Sequence, residues 1–101
     1  MALKSRSGRP PAVTAASAEA MALEALAFLA ADEGRLGGFL GASGLSPADL
    51  PLAASDAAFL GGVLDFLLQD EALLEAFCAA SDTNPEAPLR ARALLPGATP
   101  W

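Results

Sequence analysis

From Met21 onward the apolar residues fall in a helical rhythm. Met21, Ala22, Ala25, Leu26, Phe28 and Leu29 recur at the three- and four-residue steps that gather side chains on one face. The pattern predicts a first helix over 17–31, with Ser17 as its cap. Asp32 follows at once. An aspartate at a helix start accepts the free N–H groups of the first turn, so a second helix begins there at a corner without a linker. That helix presents Leu36, Phe39 and Leu40 and stops at Gly44, with Leu45 placed to fold back as in a Schellman turn. Ser46-Pro47-Ala48-Asp49 opens a short helical turn, which Pro51 ends or kinks because it lacks an N–H. Ser55 caps the next helix, with Asp56 in its first turn. Phe59, Leu60, Val63, Leu64, Phe66, Leu67 and Leu68 make that helix apolar nearly all round, so it is expected at the centre. Gly61 and Gly62 leave room for a close neighbour.

The same order of residues then returns. Phe28, Leu29, Asp32, Glu33, Leu36, Phe39, Ala42, Ser43 and Pro47 are matched thirty-eight residues later by Phe66, Leu67, Asp70, Glu71, Leu74, Phe77, Ala80, Ser81 and Pro85. A helix–corner–helix–proline-turn unit used twice, over 21–51 and 59–89, accounts for this spacing. One such pair cannot cover its own apolar face, whereas two can cover each other. Asn84-Pro85-Glu86 opens a last helix holding Leu89, Leu94 and Leu95, with an irregular first turn at Pro88 and a stop at Pro96-Gly97. The expected architecture is all-α: a small bundle of about five helices made from two tandem helix–corner–helix units. Residues 1–16 form a flexible basic arm, 17–95 the helical domain and 96–101 a tail.

Composition agrees with the pattern. Hydrophobic residues make up 53% of the chain, chiefly Ala and Leu, with no Ile and no Tyr, so helix formers abound and strand formers are scarce. All twelve carboxylates lie between Ser17 and Glu86, against the single cation Arg35 in that stretch. Such a body repels phosphate backbones, which argues against a nucleic-acid partner. Lys4, Arg6 and Arg9 make the first residues basic, but Glu19 and Glu24 interrupt any apolar run there, so no secretory signal is expected. The stretch 57–68 is too short for a membrane span and carries Asp65. Cys78 is the only cysteine, which fits a reducing cytoplasm.

The string Leu26, Phe28-Leu29, Asp32, Arg35-Leu36, Phe39-Leu40, Gly44-Leu45, Pro47, Asp49-Leu50, then Asp56 through Leu60, Val63 through Leu68 and Asp70-Glu71 resembles an alphaproteobacterial family. That family is the domain of unknown function 3572. The resemblance covers roughly 18–97 and extends to Leu95-Pro96-Gly97 and a late Trp. The second helix, with Gly34, Gly37, Gly38 and Gly41, is richer in glycine than the family pattern. The resemblance implies a bacterial cytoplasmic protein and supplies no activity.

Candidate chemistry is thin. There is no His, one Cys and one Lys, so neither an ordinary zinc site nor a base-activated serine can be assembled. The glycines of 34–44 follow no strand, so a dinucleotide loop lacks its context. No catalytic residue, cofactor or metal is expected, and the chain reads as a non-enzyme. Asp32-Glu33 and Asp70-Glu71 stand at equivalent corners, where they suit a divalent cation or basic ligand, though helix capping alone explains them. Cys78 beside Phe77 reads as a small buried hydrophobe rather than a redox thiol. Trp101 is a candidate docking anchor. The expected function is a protein-interaction module, for a homo-oligomer or another protein partner. Ligand or cation binding at the acidic corners, and an accessory subunit docking through its tails, are the alternatives.

Overall fold

In a computed structural model of the chain, residues 14–97 are described. Every regular element among them is helical. The order is α1 (Ala15–Ala30), α2 (Glu33–Ser43), a 3-10 turn (Pro47–Asp49), α3 (Leu50–Ala53), α4 (Ala57–Leu68), α5 (Glu71–Ser81) and α6 (Glu86–Ala93). The six α-helices exceed the expected count of about five because α3, a single turn, continues the 3-10 turn as a separate element. None of the described helices is long and apolar enough to cross a membrane.

Caps set the boundaries. Thr14, not Ser17, begins α1: Ser17 N–H donates to Thr14 Oγ1 at 3.2 Å, and Thr14 N–H donates to Ser17 Oγ at 2.8 Å. This reciprocal capping box moves the helix start into the span expected for the arm. Asp56, not Ser55, caps α4, accepting from Ala58 N–H at 3.1 Å. The Ser55 hydroxyl instead donates to the Leu52 carbonyl at 2.7 Å and closes α3. Pro51 does not end the short turn; it sits in the first turn of α3, where an N–H has no helical acceptor. At the end of α2 the Gly44 N–H bonds to the Leu40 carbonyl, a simple left-handed stop. The Schellman pattern occurs at α5, where Asp82 N–H and Thr83 N–H both reach the Cys78 carbonyl.

The core forms where α1, α4 and α6 pack on one another. Ala18, Ala22, Ala25 and Leu29 make a fully buried row on α1, and the three alanines keep the approaching backbones close. Val63, Leu64 and Leu67 of α4 face them, also fully buried. α2 packs beside α1 and α5 beside α4. Each of these outer helices also reaches across to the other pair. Phe39 of α2 meets Phe66 of α4 edge-on with ring centroids 5.3 Å apart, and Phe77 of α5 meets Phe28 of α1 in the same manner at 5.6 Å. Such edge-to-face pairs add ~0.5–1.5 kcal/mol each beyond the area they bury. α2 and α5 lie thirty-eight residues apart with equal lengths, Asp caps and left-handed stops at Gly44 and Asp82. Beyond those stops the two halves diverge: α6 enters the core, whereas α3 stays at its edge.

Helix α6 departs furthest from expectation. Leu89 and Leu94 are 61% and 43% exposed, while Pro88, Ala91, Arg92 and Leu95 face inward at helical spacing. Pro88 is not an irregularity, because its missing N–H falls in the first turn, where an N–H has no acceptor within the helix. The register is set by Arg92. Its Nε donates to Asp65 Oδ1 at 2.6 Å and its Nη2 to Asp65 Oδ2 at 3.0 Å. Nη1 donates to the carbonyls of Leu95 and Pro96 at 3.2 and 3.1 Å. The guanidinium thus satisfies itself inside the protein and ties the end of α6 to α4. It lies over Gly61, where a Cβ would fall 2.9 Å from both Arg92 Nη1 and the Pro96 oxygen.

Replacing Arg92 by Ala is expected to cost ~2–3 kcal/mol, since it strands Asp65 and two carbonyls while Asp65 keeps some access to water. A fall in the urea midpoint measures it, and Arg92→Lys should recover less than half, because an ammonium cannot fork. Two glycine substitutions should move the same midpoint in opposite directions. Gly61→Ala costs ~1–3 kcal/mol through overpacking, whereas Gly41→Ala, with nothing within 4 Å of its Cβ, gains ~0.5–1 kcal/mol.

Candidate functional site

The corner carboxylates serve the helices. Asp32 Oδ1 accepts from Gly34 N–H at 2.8 Å and Arg35 N–H at 3.1 Å, and Asp70 Oδ1 accepts from Leu73 N–H at 3.1 Å. Glu33 and Glu71 occupy the first turns of α2 and α5, exposed, where a negative charge faces the positive helix end. Among the described residues no three carboxylate or thiol groups come together as a ligand set for a metal ion. Trp101 lies outside the described residues, as do Lys4, Arg6 and Arg9 of the arm. Cys78 is buried, and burial pushes its thiol above the ordinary value of 9.0, away from the reactive thiolate.

What sequence reasoning missed is a pair of surface clefts. The first, about 320 Å³, lies between α2 and α4 and is lined chiefly by Phe39, Ala42, Phe59, Gly62, Phe66 and Gln69. The second, about 330 Å³, lies between α5 and α1 and is lined by Glu24, Ala27, Phe28, Phe77, Ala80 and Ser81. Phe39, Ala42, Ser43 and Phe66 in the first correspond, thirty-eight positions away, to Phe77, Ala80, Ser81 and Phe28 in the second. All five phenylalanines of the chain line one cleft or the other. Both clefts follow from the crossing of each outer helix over the opposite pair. The edge-to-face phenyl contact forms the floor, and the alanine and serine one turn further along the outer helix are too small to fill the space above it. The repeat in the sequence carried this signal, but only the crossing of the helices turns matched residues into matched cavities.

The clefts differ in charge. The α2/α4 cleft has no ionisable lining residue, while Glu24 stands at the rim of the other. On the α1 side Arg35 lies 4.6 Å from the Phe28 ring centroid, a cation–π contact that its counterpart Leu73 cannot make. In the second lining the Ser81 hydroxyl is engaged by the Phe77 carbonyl at 2.7 Å and by Thr83 Oγ1 at 2.8 Å, and both linings suit an apolar side chain of modest size.

Among the described residues, fold and surface together define a small all-α domain with two shallow, aromatic-floored clefts. The chain belongs to the family described as "Protein of unknown function (DUF3572)", whose model matches residues 15–98. No curated protein and no solved structure matches it.

Burial of Cys78 predicts slow reaction with a thiol reagent in the native protein and rapid reaction in urea. It also sets a pH dependence. Because the folded thiol is raised, its contribution is fully present below the unfolded value near 9.0 and is lost as pH rises through the higher folded value. The urea midpoint of the native chain should fall in that alkaline range more steeply than that of Cys78→Ala.

Proposed function

We propose a non-enzymatic protein-interaction module whose partner is a second copy of the chain. The observation that carries this reading is the α1/α5 cleft, apolar on its floor and left uncovered by every described residue. An occupant is available on the same molecule. Leu52 of α3 is 82% exposed, held out by a helix of one turn. Inserted into the cleft of a partner, with the partner's Leu52 inserted in return, it gives a closed two-fold dimer. Opposite charges favour the same pairing: three cations fall in residues 1–13, and all twelve carboxylates fall beyond them. The lack of any His removes the usual acid–base chemistry and supports a binding role over a catalytic one.

The same reading takes the domain as a helix–corner–helix unit present twice. Its support is the spacing shared by α2 and α5, by their caps and by the two clefts. A buried, unpaired cysteine suits a reducing compartment such as the cytoplasm.

Light scattering on the full chain in the high micromolar range tests the proposal. The expected result is twice the monomer mass, falling to the monomer mass in Ala80→Arg, which fills the cleft from an exposed position, and in Leu52→Asp. Circular dichroism should be unchanged in both. A strictly monomeric native chain ends the self-association reading.

A further inference from the structure

We infer that the α2/α4 cleft binds a small organic cation, a trimethylammonium head carrying a short polar tail. The inference goes beyond the dimer reading, which occupies the other cleft.

The aromatic surface comes first. Phe59 and Phe66 stand seven residues apart on one face of α4, and Phe39 of α2 packs against both. Its ring centroid lies 5.8 Å from that of Phe59 and 5.3 Å from that of Phe66, with the planes inclined at 69° and 74°. The cleft therefore meets phenyl surface from more than one direction. The face of a phenyl ring is the negative side of its quadrupole and attracts a cation within ~6 Å of the centroid. Gly62, between the two α4 rings, keeps the site open, with nothing within 4 Å of its absent Cβ. At about 320 Å³ the cleft has the size of a small ligand site.

Charge points the same way. Ser43 ends α2 and Gln69 follows the last residue of α4, and both line the cleft. Two helix C-termini, the negative ends of their dipoles, thus border one space, and neither helix has a basic residue in its last turn to offset them. The formal net charge of −6 draws cations toward the chain. Among the described residues no carboxylate lines this cleft, so a compact, strongly hydrated ion finds nothing there to replace its water. A methylated ammonium, its charge spread beneath apolar methyl groups, loses far less on entering. For the tail, exposed Gln69 supplies an amide, and the Ser43 hydroxyl, donating to the Leu40 carbonyl at 3.3 Å, can still accept a bond.

The other half of the chain supplies the comparison. Phe28, thirty-eight positions before Phe66, already holds a cation: Arg35 lies 4.6 Å from its ring centroid. Leu73 stands where the counterpart of Arg35 would be, so Phe66 gains no such partner from its own half. The α1/α5 cleft has Glu24 at its rim, but the guanidinium on Phe28 repels a second cation there.

Choline titrated into the full chain at constant ionic strength, followed by amide NMR, tests the proposal. Saturable shifts are expected at Ser43, Gly62 and Gln69. The affinity should be about tenfold above that of dimethylbutanol, the neutral analogue with carbon in place of nitrogen. Phe59→Leu, which puts an aliphatic side chain where the other half has Met21, should bring choline down to the analogue's affinity. Gly62→Leu, which fills the cleft, should abolish binding of both, with helix content unchanged in each variant. Equal affinity for choline and its analogue, an unchanged affinity in Phe59→Leu, or no shifts at all overturns the proposal. Loss of binding in Ala80→Arg also overturns it, by assigning the cation to the α1/α5 cleft. So does a trimethyl-lysine peptide that binds far more tightly than choline, since the ligand is then a modified protein. None of these results bears on the mass measured for the native chain, so the dimer reading survives or fails separately.

Discussion

A guanidinium taken out of water must find an acceptor for its N–H groups, and the fold depends on how Arg92 solves that problem. With its side chain 11% exposed, it forks onto Asp65 and also captures two carbonyls beyond its own helix. This one group settles three things. It rotates α6 so that Ala91 and Leu95 face the core and Leu89 and Leu94 face out. It requires glycine at 61. It also brings the chain beyond α6 back onto the surface of α4. Without it α6, eight residues long and weakly apolar, has little to hold it in one register.

Once α6 closes the core with α1 and α4, α2 and α5 have only the flanks left. Neither flank buries an outer helix fully, and each is held by a phenylalanine reaching to the opposite pair. Phe39 reaches α4 and Phe77 reaches α1. The exchange adds to what joins the two halves, because separating them breaks three edge-on phenyl contacts. It also explains why clefts open where they do. Each lies above a phenyl contact, between an outer helix and the inner helix of the opposite pair.

Most of the local structure was readable from the chain because helix capping is local. Asp32, Asp70 and Gly44 announce their roles within a few residues, and each serves as expected. The misreadings have physical causes. Ser17 and Thr14 are both capping residues, and the box they form together decides between them. Ser55 and Asp56 compete in the same way, and the hydroxyl is drawn back to α3. The register of α6 was not readable, because its arbiter lies twenty-seven positions away on another helix. A helix containing Leu89 and Leu94 invites the reading that leucines go inward, yet an arginine with a forked partner outweighs them. The clefts are hidden for a related reason: a void belongs to the crossing of helices, and no single residue encodes it.

The two halves match at a spacing of thirty-eight residues but differ at positions around their clefts. Where one cleft has Phe59, Gly62 and Gln69, the matching positions on the other side are Met21, Glu24 and Ala31. The first set makes a bare, aromatic surface with one neutral hydrogen-bonding group. The second trades aromatic area for a carboxylate at the rim. Arg35 on Phe28 and Leu73 at the matching place extend the same divergence. If both clefts were mere by-products of helix crossing, their linings would be free to stay alike or to fill in with larger side chains. Instead the alanine and serine that keep them open are the same in both, and the residues that set their polarity differ. That combination gives two clefts of one shape, kept open by small side chains, with a chemistry set separately in each.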